Sequence, residues 1–145
     1  MKISTRSRYG TMAMIEIARS YDKNSITRND IIHKQSIPKE YLAHILLTLK
    51  GQRLITTMRG VNGGYRLAQS PSKISLFNIV GALEGSLTPV ECVENADSCK
   101  KSSQCSARKA WVKLYEAQLG VLKGISLQDL LEMENENDGT LMYFI

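Results

Sequence analysis

The chain has 145 residues, of which 43% are hydrophobic and 23% are charged, and its formal net charge is +5. These values are ordinary for a globular protein, and no apolar run is long enough to span a bilayer. The first residues also lack the apolar stretch of a signal peptide. We therefore expect a cytoplasmic protein with no membrane partner.

The charge is distributed unevenly along the chain. Residues 1–66 contain twelve Lys or Arg and four Asp or Glu, a net charge of +8, whereas residues 67–145 have a net charge of −3. A basic half suits a polyanion, because each neutralised phosphate releases counterions. Charge alone leaves open a solvated surface without a nucleic-acid partner.

Three helices are predicted in the first part of the chain. Apolar spacing predicts one over residues 5–20, and Thr27 opens a second through a capping box. Pro38 suits the first position of a third helix, which Gly51 ends. Its expected buried stripe is Tyr41, Leu42, Ile45, Leu46 and Leu49. Two short helices joined by a tight turn indicate a helix-turn-helix.

A β-hairpin is predicted directly after these helices. Residues 54–58 and 65–67 have strand character, and the turn at 59–64 is rich in residues that tolerate positive φ. Such a hairpin would form a wing with an arginine at each side of its tip. A plain surface hairpin stays open. A phosphate-binding loop is disfavoured, because no Walker lysine and no helix follow the glycines.

The second half of the chain predicts a helix capped by Ser75 and ended by Gly85, a polar irregular segment, a long helix and a short last helix opened by Ser126. The long helix has an apolar face that needs a partner surface. The same helix of a second subunit is the economical solution, although folding back onto the chain's own domain is the alternative.

The fold class is therefore mainly α, a winged helix-turn-helix domain with a β-hairpin wing and a long C-terminal dimerisation helix. The expected divisions are the DNA-binding domain at 1–85, a cysteine-bearing cofactor loop at 86–104, the dimerisation helix and short last helix at 105–134, and a flexible tail at 135–145.

All three cysteines, Cys92, Cys99 and Cys105, lie in one stretch. An odd number argues against a disulfide framework, and soft thiolates suit zinc or an iron–sulfur cluster. The spacings are wider than those of zinc ribbons and common ferredoxin runs. From the residues alone, zinc, a cluster and a thiol switch stay equally open.

The opening residues 1–10, the Ile37–Pro38 turn followed by Tyr41 and Leu42, the wing at 59–65 and the spaced cysteines resemble the Rrf-two-type (Rrf2) family of winged-helix transcriptional regulators, including its IscR-like iron–sulfur sensors. The resemblance implies a homodimer that binds a palindromic operator in double-stranded DNA. It also implies an iron–sulfur cluster, 2Fe–2S or 4Fe–4S, held by the three cysteines.

The same resemblance implies which residues meet DNA. The helix after Pro38 would enter the major groove, and Arg59 would enter the minor groove, where a guanidinium is favoured by the negative potential of A·T-rich sequence. The DNA-contacting residues expected are Arg28, Lys39, Tyr41, Ala43, His44, Arg59 and Gly60.

Two positions depart from the family pattern. Arg108 replaces a histidine that ligates the cluster in the iron–sulfur assembly type, and Arg8 replaces an acidic residue of the nitric-oxide-sensing type. A guanidinium has no lone pair to offer a metal. His33, acting across the dimer, is the candidate nitrogen ligand. The alternatives are a small exogenous ligand or a loop carboxylate: Glu91, Glu94 or Asp97.

No nucleophile motif or substrate loop appears, and both histidines lie far in sequence from the cysteines, so we predict no enzymatic activity. The predicted function is a DNA-binding regulator whose cluster senses redox state, nitric oxide or iron supply. The alternative is a regulator of cysteine metabolism with the same fold, which acts by thiol oxidation or partner binding without metal.

Overall fold

A computed structural model describes residues 2–23 and 25–142 of the chain. The elements are α1 (Thr5–Arg19), α2 (Arg28–Gln35), α3 (Lys39–Gly51), β1 (Ile55–Met58), β2 (Gly64–Leu67), α4 (Leu76–Glu84), α5 (Glu91–Glu94), α6 (Ser106–Gly124) and α7 (Leu127–Met142). Short 3₁₀ turns occupy Pro71–Lys73, Ala96–Ser98 and Ser102–Gln104. This mainly helical fold with one hairpin confirms the predicted fold class.

The hydrophobic core lies where α1, α2, α3 and α4 meet, and α7 closes it from the side of α1. Its fully buried side chains come from every one of these helices and from β1: Met14, Ile17, Ile31, Leu42, Ile45, Leu46, Leu49, Ile55, Ile79 and Leu127. The stripe predicted for α3 is confirmed except for Tyr41, which is 39% exposed. Its ring packs on Tyr9 instead of entering the core.

Three capping boxes begin helices at the positions predicted from the sequence. Thr27 and Asp30 exchange side-chain and backbone hydrogen bonds at α2, and Ser75 pairs with Asn78 in the same way at α4. Ser126 and Asp129 do so at α7, where the Ser126 backbone N–H donates to Asp129 at 2.7 Å. Each box satisfies N–H groups that have no partner inside the helix.

The ends of α3 differ by one residue from the prediction. Pro38 is the N-cap, and Lys39 is the first helical residue. Gly51 is the last helical residue and Gln52 is the C-cap, and the left-handed residue that follows is Arg53, with φ of 58°. The turn between α2 and α3 likewise uses a left-handed residue other than glycine, Ser36, with φ of 52°.

The hairpin pairs Ile55 with Leu67 and Met58 with Gly64 in antiparallel register. Gly64 therefore belongs to β2, whereas the sequence analysis places it in the turn. Ile26, just before α2, bridges to Tyr65 through two backbone hydrogen bonds of 3.1 and 2.8 Å. A Cβ on Gly64 would lie 2.4 Å from the Ile26 carbonyl oxygen, so only glycine allows this close approach.

The last two helices differ in how they contact the rest of the chain, because α6 is mostly exposed and α7 packs on α1. Of α6, only Leu122 is buried. The chain then returns to the core, because Leu76 donates to the Ile125 carbonyl and Leu127 donates to that of Ile74. Here α7 packs on α1.

The last helix is longer than predicted, and it includes the described part of the segment that the sequence analysis assigned to a flexible tail from residue 135. The helix that begins at Leu127 continues to Met142. Glutamates support a helix, and Glu134 pairs with Arg19 of α1. The remainder of the predicted tail, residues 143–145, lies outside the described residues. Among the described helices, none combines the length and the apolar character needed to cross a membrane.

Candidate nucleic-acid interface and cysteine loop

The helix-turn-helix presents the side chains of α3 on the outside of the basic half of the chain. Lys39 and His44 are exposed, and Ala43 is half-buried between them and the core. Arg28, at the first position of α2, is also half-buried. These four predicted DNA-contacting residues therefore lie on the two helices of one motif, three of them on α3.

Tyr41 is held in a defined orientation at the start of α3. Its ring meets Tyr9 of α1 edge to face, with 5.6 Å between ring centroids and an interplanar angle of 84°. Such aromatic pairs add about 0.5–1.5 kcal/mol beyond burial. The partly exposed Tyr41 is therefore positioned by Tyr9 without occupying the core.

Arg6 is a cation beside this surface that the sequence analysis did not single out. Its guanidinium donates to the Thr48 hydroxyl at 2.6 Å, and Arg6 lines a surface pocket with Tyr41 and His44. Nothing in the spacing of Arg6 distinguishes it from other basic residues, because its neighbours on α3 are forty residues away in sequence. Only the packing of α1 on α3 reveals it.

The wing is tied to the helix-turn-helix by more than its strands. Arg59 and Gly60 are exposed at its tip, and Gly60 has φ of 106°, which favours glycine. The Ser25 hydroxyl donates to the Asn62 carbonyl at 2.6 Å, next to the backbone bridge at Ile26. The segment before α2 thus connects the wing to the helix-turn-helix formed by α2 and α3.

A buried carboxylate joins α1 to the helix-turn-helix. Glu16 is 1% exposed, and its Oε1 accepts from Gln35 at 2.6 Å and from Arg19 at 2.9 Å. Its Oε2 accepts no hydrogen bond from the residues that the structure describes, but the Lys34 ammonium lies 3.5 Å away. Removing the neighbours of a buried charge is costly, so this cluster holds α2 against α1.

A second carboxylate anchors the N-terminus of α1 to the end of α4. Glu84 accepts from the Ser4 backbone N–H at 3.0 Å and from the Ser7 hydroxyl at 2.6 Å. Hydrogen bonds from Ser4 and Ser7 hold the pKa of Glu84 below its ordinary value, because they favour the charged form.

The three cysteines lie around the N-terminal end of α6 and are unbridged. Cys92 is half-buried on α5, Cys99 is exposed, and Cys105 is the half-buried N-cap of α6. Among the described residues, no three His, Cys, Asp or Glu side chains are grouped so that they could hold a metal ion. His33 is exposed on α2 and joins no such group.

Two side chains of α6 hold the cysteine loop. The Arg108 Nε donates to the Cys92 carbonyl at 2.7 Å, and the Arg108 backbone N–H donates to the Cys105 sulfur at 3.4 Å. Further along α6, Gln118 donates to the Leu87 carbonyl at 3.2 Å. The loop expected to be irregular therefore contains short helical turns and protein tethers, and Arg108 occupies a structural position between two of the cysteines.

The three cysteines fit an iron–sulfur cluster in their chemistry but not in their arrangement. Three unbridged thiols on one segment match the soft donors that such a cluster needs. Their arrangement does not match, because among the described residues they form no group that could hold a metal ion, and because Arg108, which has no lone pair to offer a metal, binds the Cys92 carbonyl. We therefore derive no step through a cluster from this geometry.

Comparison with known proteins identifies the family. A family model described as Rrf2, iron-dependent transcriptional regulator, matches residues 3–133. The chain is 30% identical over 145 residues to the HTH-type transcriptional regulator CymR of Bacillus subtilis and covers 100% of both sequences.

Two solved structures have the same fold. That of CymR, the global cysteine regulator of B. subtilis, matches with a TM-score of 0.79 and 30% identity, over 92% of this chain and 98% of the other. That of T. potens IscR matches with a TM-score of 0.78 and 28% identity, over 94% and 90%. CymR of B. subtilis and IscR of Aliivibrio salmonicida are both named as HTH-type transcriptional regulators. This chain therefore belongs to the Rrf2 family of DNA-binding transcriptional regulators.

Proposed function

We propose that the chain acts as a homodimer that binds a palindromic operator through α3 and the wing. The observation that carries this proposal is the rigid attachment of the wing to the segment before α2, through the Ile26–Tyr65 bridge and the Ser25–Asn62 hydrogen bond. It allows α3 to enter a major groove while Arg59 reaches the adjacent minor groove. Lys39 and Arg28 would then neutralise phosphates.

The exposed face of α6 supports the homodimer. Trp111, Leu114 and Val121 are large apolar side chains that remain exposed along one helix. Residues at these spacings recur on a similar face, and a two-fold axis would cover the same face in both subunits. Two half-sites one helical turn apart would follow from that symmetry.

The cysteine loop is our candidate for the regulated element. Arg108 and Gln118 connect the loop to α6, and α6 would set the separation of the two DNA-binding domains in a dimer. A change at the thiols that released these tethers would alter the end of α6 and hence the fit to two half-sites.

We propose first that the three thiols hold an iron–sulfur cluster, which would make the loop sensitive to oxidants, nitric oxide or iron supply. The presence of Cys92, Cys99 and Cys105 as free thiols on one short segment, together with the similarity to IscR, supports this proposal. His33 stays our candidate for the fourth ligand. His33→Ala should then change the electron paramagnetic resonance spectrum and shorten the lifetime of the chromophore in air.

The second candidate is a metal-free regulator of cysteine metabolism. The Arg108 tethers favour it, because they order the loop through protein contacts alone, and the similarity to the cysteine regulator CymR supports it equally. In this case oxidation of the thiols, or a partner protein, would change DNA affinity.

One experiment separates the candidates. The full chain is purified without oxygen, and its visible absorption, iron and acid-labile sulfide are measured. A brown protein with matched iron and sulfide, lost in Cys92→Ala, Cys99→Ala and Cys105→Ala, supports the cluster. A colourless protein that releases operator DNA as disulfides form supports the thiol mechanism. Failure to retain any duplex in a sequence-specific manner contradicts both.

A further inference from the structure

Leu47 on α3 is exposed to an unusual degree for a large apolar side chain. Its exposed fraction is 68%, the highest of any large hydrophobic residue in the helices of the described chain. A single exposed leucine on a protein surface needs no explanation by itself. The position of Leu47 on α3, beside predicted base-contacting residues, indicates a role for this exposed side chain.

Helical geometry places Leu47 on the face of α3 that points away from the core. At roughly 100° per residue, Glu40, Ala43 and His44 all fall within about 60° of Leu47. The buried residues Leu42, Ile45 and Leu49 lie about 140–160° away, on the opposite side, and the buried Leu46 lies at its edge, about 100° away. Glu40, Ala43, His44 and Leu47 thus form one outward stripe, which contains two of the predicted base-contacting residues.

The distance along the helix fits a neighbouring base pair. At about 1.5 Å per residue, Leu47 lies roughly 4.5 Å beyond His44 along the axis of α3. Successive base pairs are about 3.4 Å apart. If α3 lies along the major groove, a side chain at this position would reach about one base pair beyond the one nearest His44.

The backbone around Leu47 is held by hydrogen bonds to α1 and within α3. The neighbouring Thr48 accepts from Arg6 of α1 at 2.6 Å and donates to the His44 carbonyl at 3.1 Å. Because Leu47 lies on a hydrogen-bonded helix, its backbone is already ordered before it meets a groove, which lowers the entropic cost of binding.

The chemistry of the side chain leaves one matching group in the major groove. Leucine neither donates nor accepts a hydrogen bond, so it gains nothing from phosphates or from the polar edges of bases. The apolar group that a base presents in the major groove is the thymine C5-methyl. We infer that Leu47 is a specificity-determining residue that selects thymine in each half-site by contact with this methyl group.

This inference rests on the proposed placement of α3 in the major groove, and its test separates the two. Wild-type protein first selects its operator from a duplex pool of random sequence. Each thymine of the selected half-site is then replaced in turn by deoxyuridine, which pairs identically but lacks the methyl group. Binding of wild type and Leu47→Ala to each duplex is measured by fluorescence anisotropy. Met133→Ala, which truncates an exposed apolar residue of α7, is the matched control.

At one thymine, replacement by deoxyuridine should weaken binding of wild type and of Met133→Ala about three- to fivefold. This factor is the effect expected from losing the burial of one methyl group. Leu47→Ala should bind both duplexes equally at that position and keep its sensitivity elsewhere. Leu47→Met, which keeps an apolar end, should retain the methyl effect, and unchanged circular dichroism of Leu47→Ala shows that its fold is intact.

If Leu47→Ala keeps every methyl effect of the wild type, or if the wild-type half-site has no methyl-sensitive thymine, Leu47 does not read the operator, although the DNA-binding function stands. If wild type selects no sequence from the pool, both the function and the inference fail.

Discussion

Substitution of Gly64 tests how the wing is joined to the helix-turn-helix. In Gly64→Ala the new Cβ would lie 2.4 Å from the Ile26 carbonyl oxygen and 2.8 Å from its carbon. These are backbone atoms, so no side-chain rotation relieves the contact. The φ of 154° at Gly64 is also a conformation that alanine rarely adopts.

The expected loss of stability follows from the Ile26–Tyr65 bridge, which must either open or remain under strain. The Ile26–Tyr65 bridge contains two backbone hydrogen bonds, each contributing about 0.5–1.5 kcal/mol net. If the bridge is kept instead, backbone strain at a position that favours glycine costs about 1–3 kcal/mol. By either route we expect a loss of about 1–3 kcal/mol in the free energy of unfolding, and a melting temperature lower by roughly 3–10 °C.

Urea unfolding followed by circular dichroism measures the stability, and anisotropy of a labelled operator measures DNA affinity. Hydrogen exchange of the Tyr65 amide, which donates to Ile26 at 2.8 Å, reports on the bridge itself. Gly51→Ala is the control, because a Cβ there meets none of the described atoms within 4 Å. It should be neutral or stabilising by up to about 1 kcal/mol. Equal stability and equal Tyr65 protection in Gly64→Ala and wild type would refute the close approach.

Three further predictions follow from the same structure. Arg59→Ala should weaken binding mainly to operators with A·T-rich flanks and reduce the slope of log affinity against log salt by about 1; equal binding at all salt concentrations would remove Arg59 from the minor groove. Arg108→Ala should speed tryptic cleavage after Lys100, because the tether to the cysteine loop is lost, whereas Lys109→Ala should leave cleavage there unchanged; identical rates in the two variants would show that Arg108 does not hold the loop. The pKa of Glu84 lies below its ordinary value of 4.5, so its stabilising effect is complete above about that pH and is lost as pH falls towards the lowered pKa. The stability difference between wild type and Glu84→Gln, from urea unfolding, should therefore shrink below pH 4.5, and a difference that grew on acidification would contradict the assignment.

Local sequence determined most of the secondary structure, because the signals that begin and end these elements act within a few residues. The capping boxes at Thr27, Ser75 and Ser126 begin helices where expected, since their hydrogen bonds involve only residues three apart. The glycine-rich hairpin was likewise evident from turn chemistry. The errors were also local: Ser36 and Arg53 adopt positive φ without being glycine, which no pattern had indicated.

Tertiary structure decided which side chains surround the candidate sites, because those contacts join residues distant in sequence. Arg6 meets α3, and Glu16 meets α2, only once α1 has packed against both helices. The last helix continues beyond its predicted end at residue 134, and there Arg19 of α1 pairs with Glu134, a residue more than a hundred positions away in sequence. The sequence shows that the three cysteines lie on one loop, but the path of the backbone decides whether their sulfurs converge. That path depends on the hydrogen bond from Arg108 of α6 to the Cys92 carbonyl. A bond to a backbone carbonyl leaves no signal in the residue pattern.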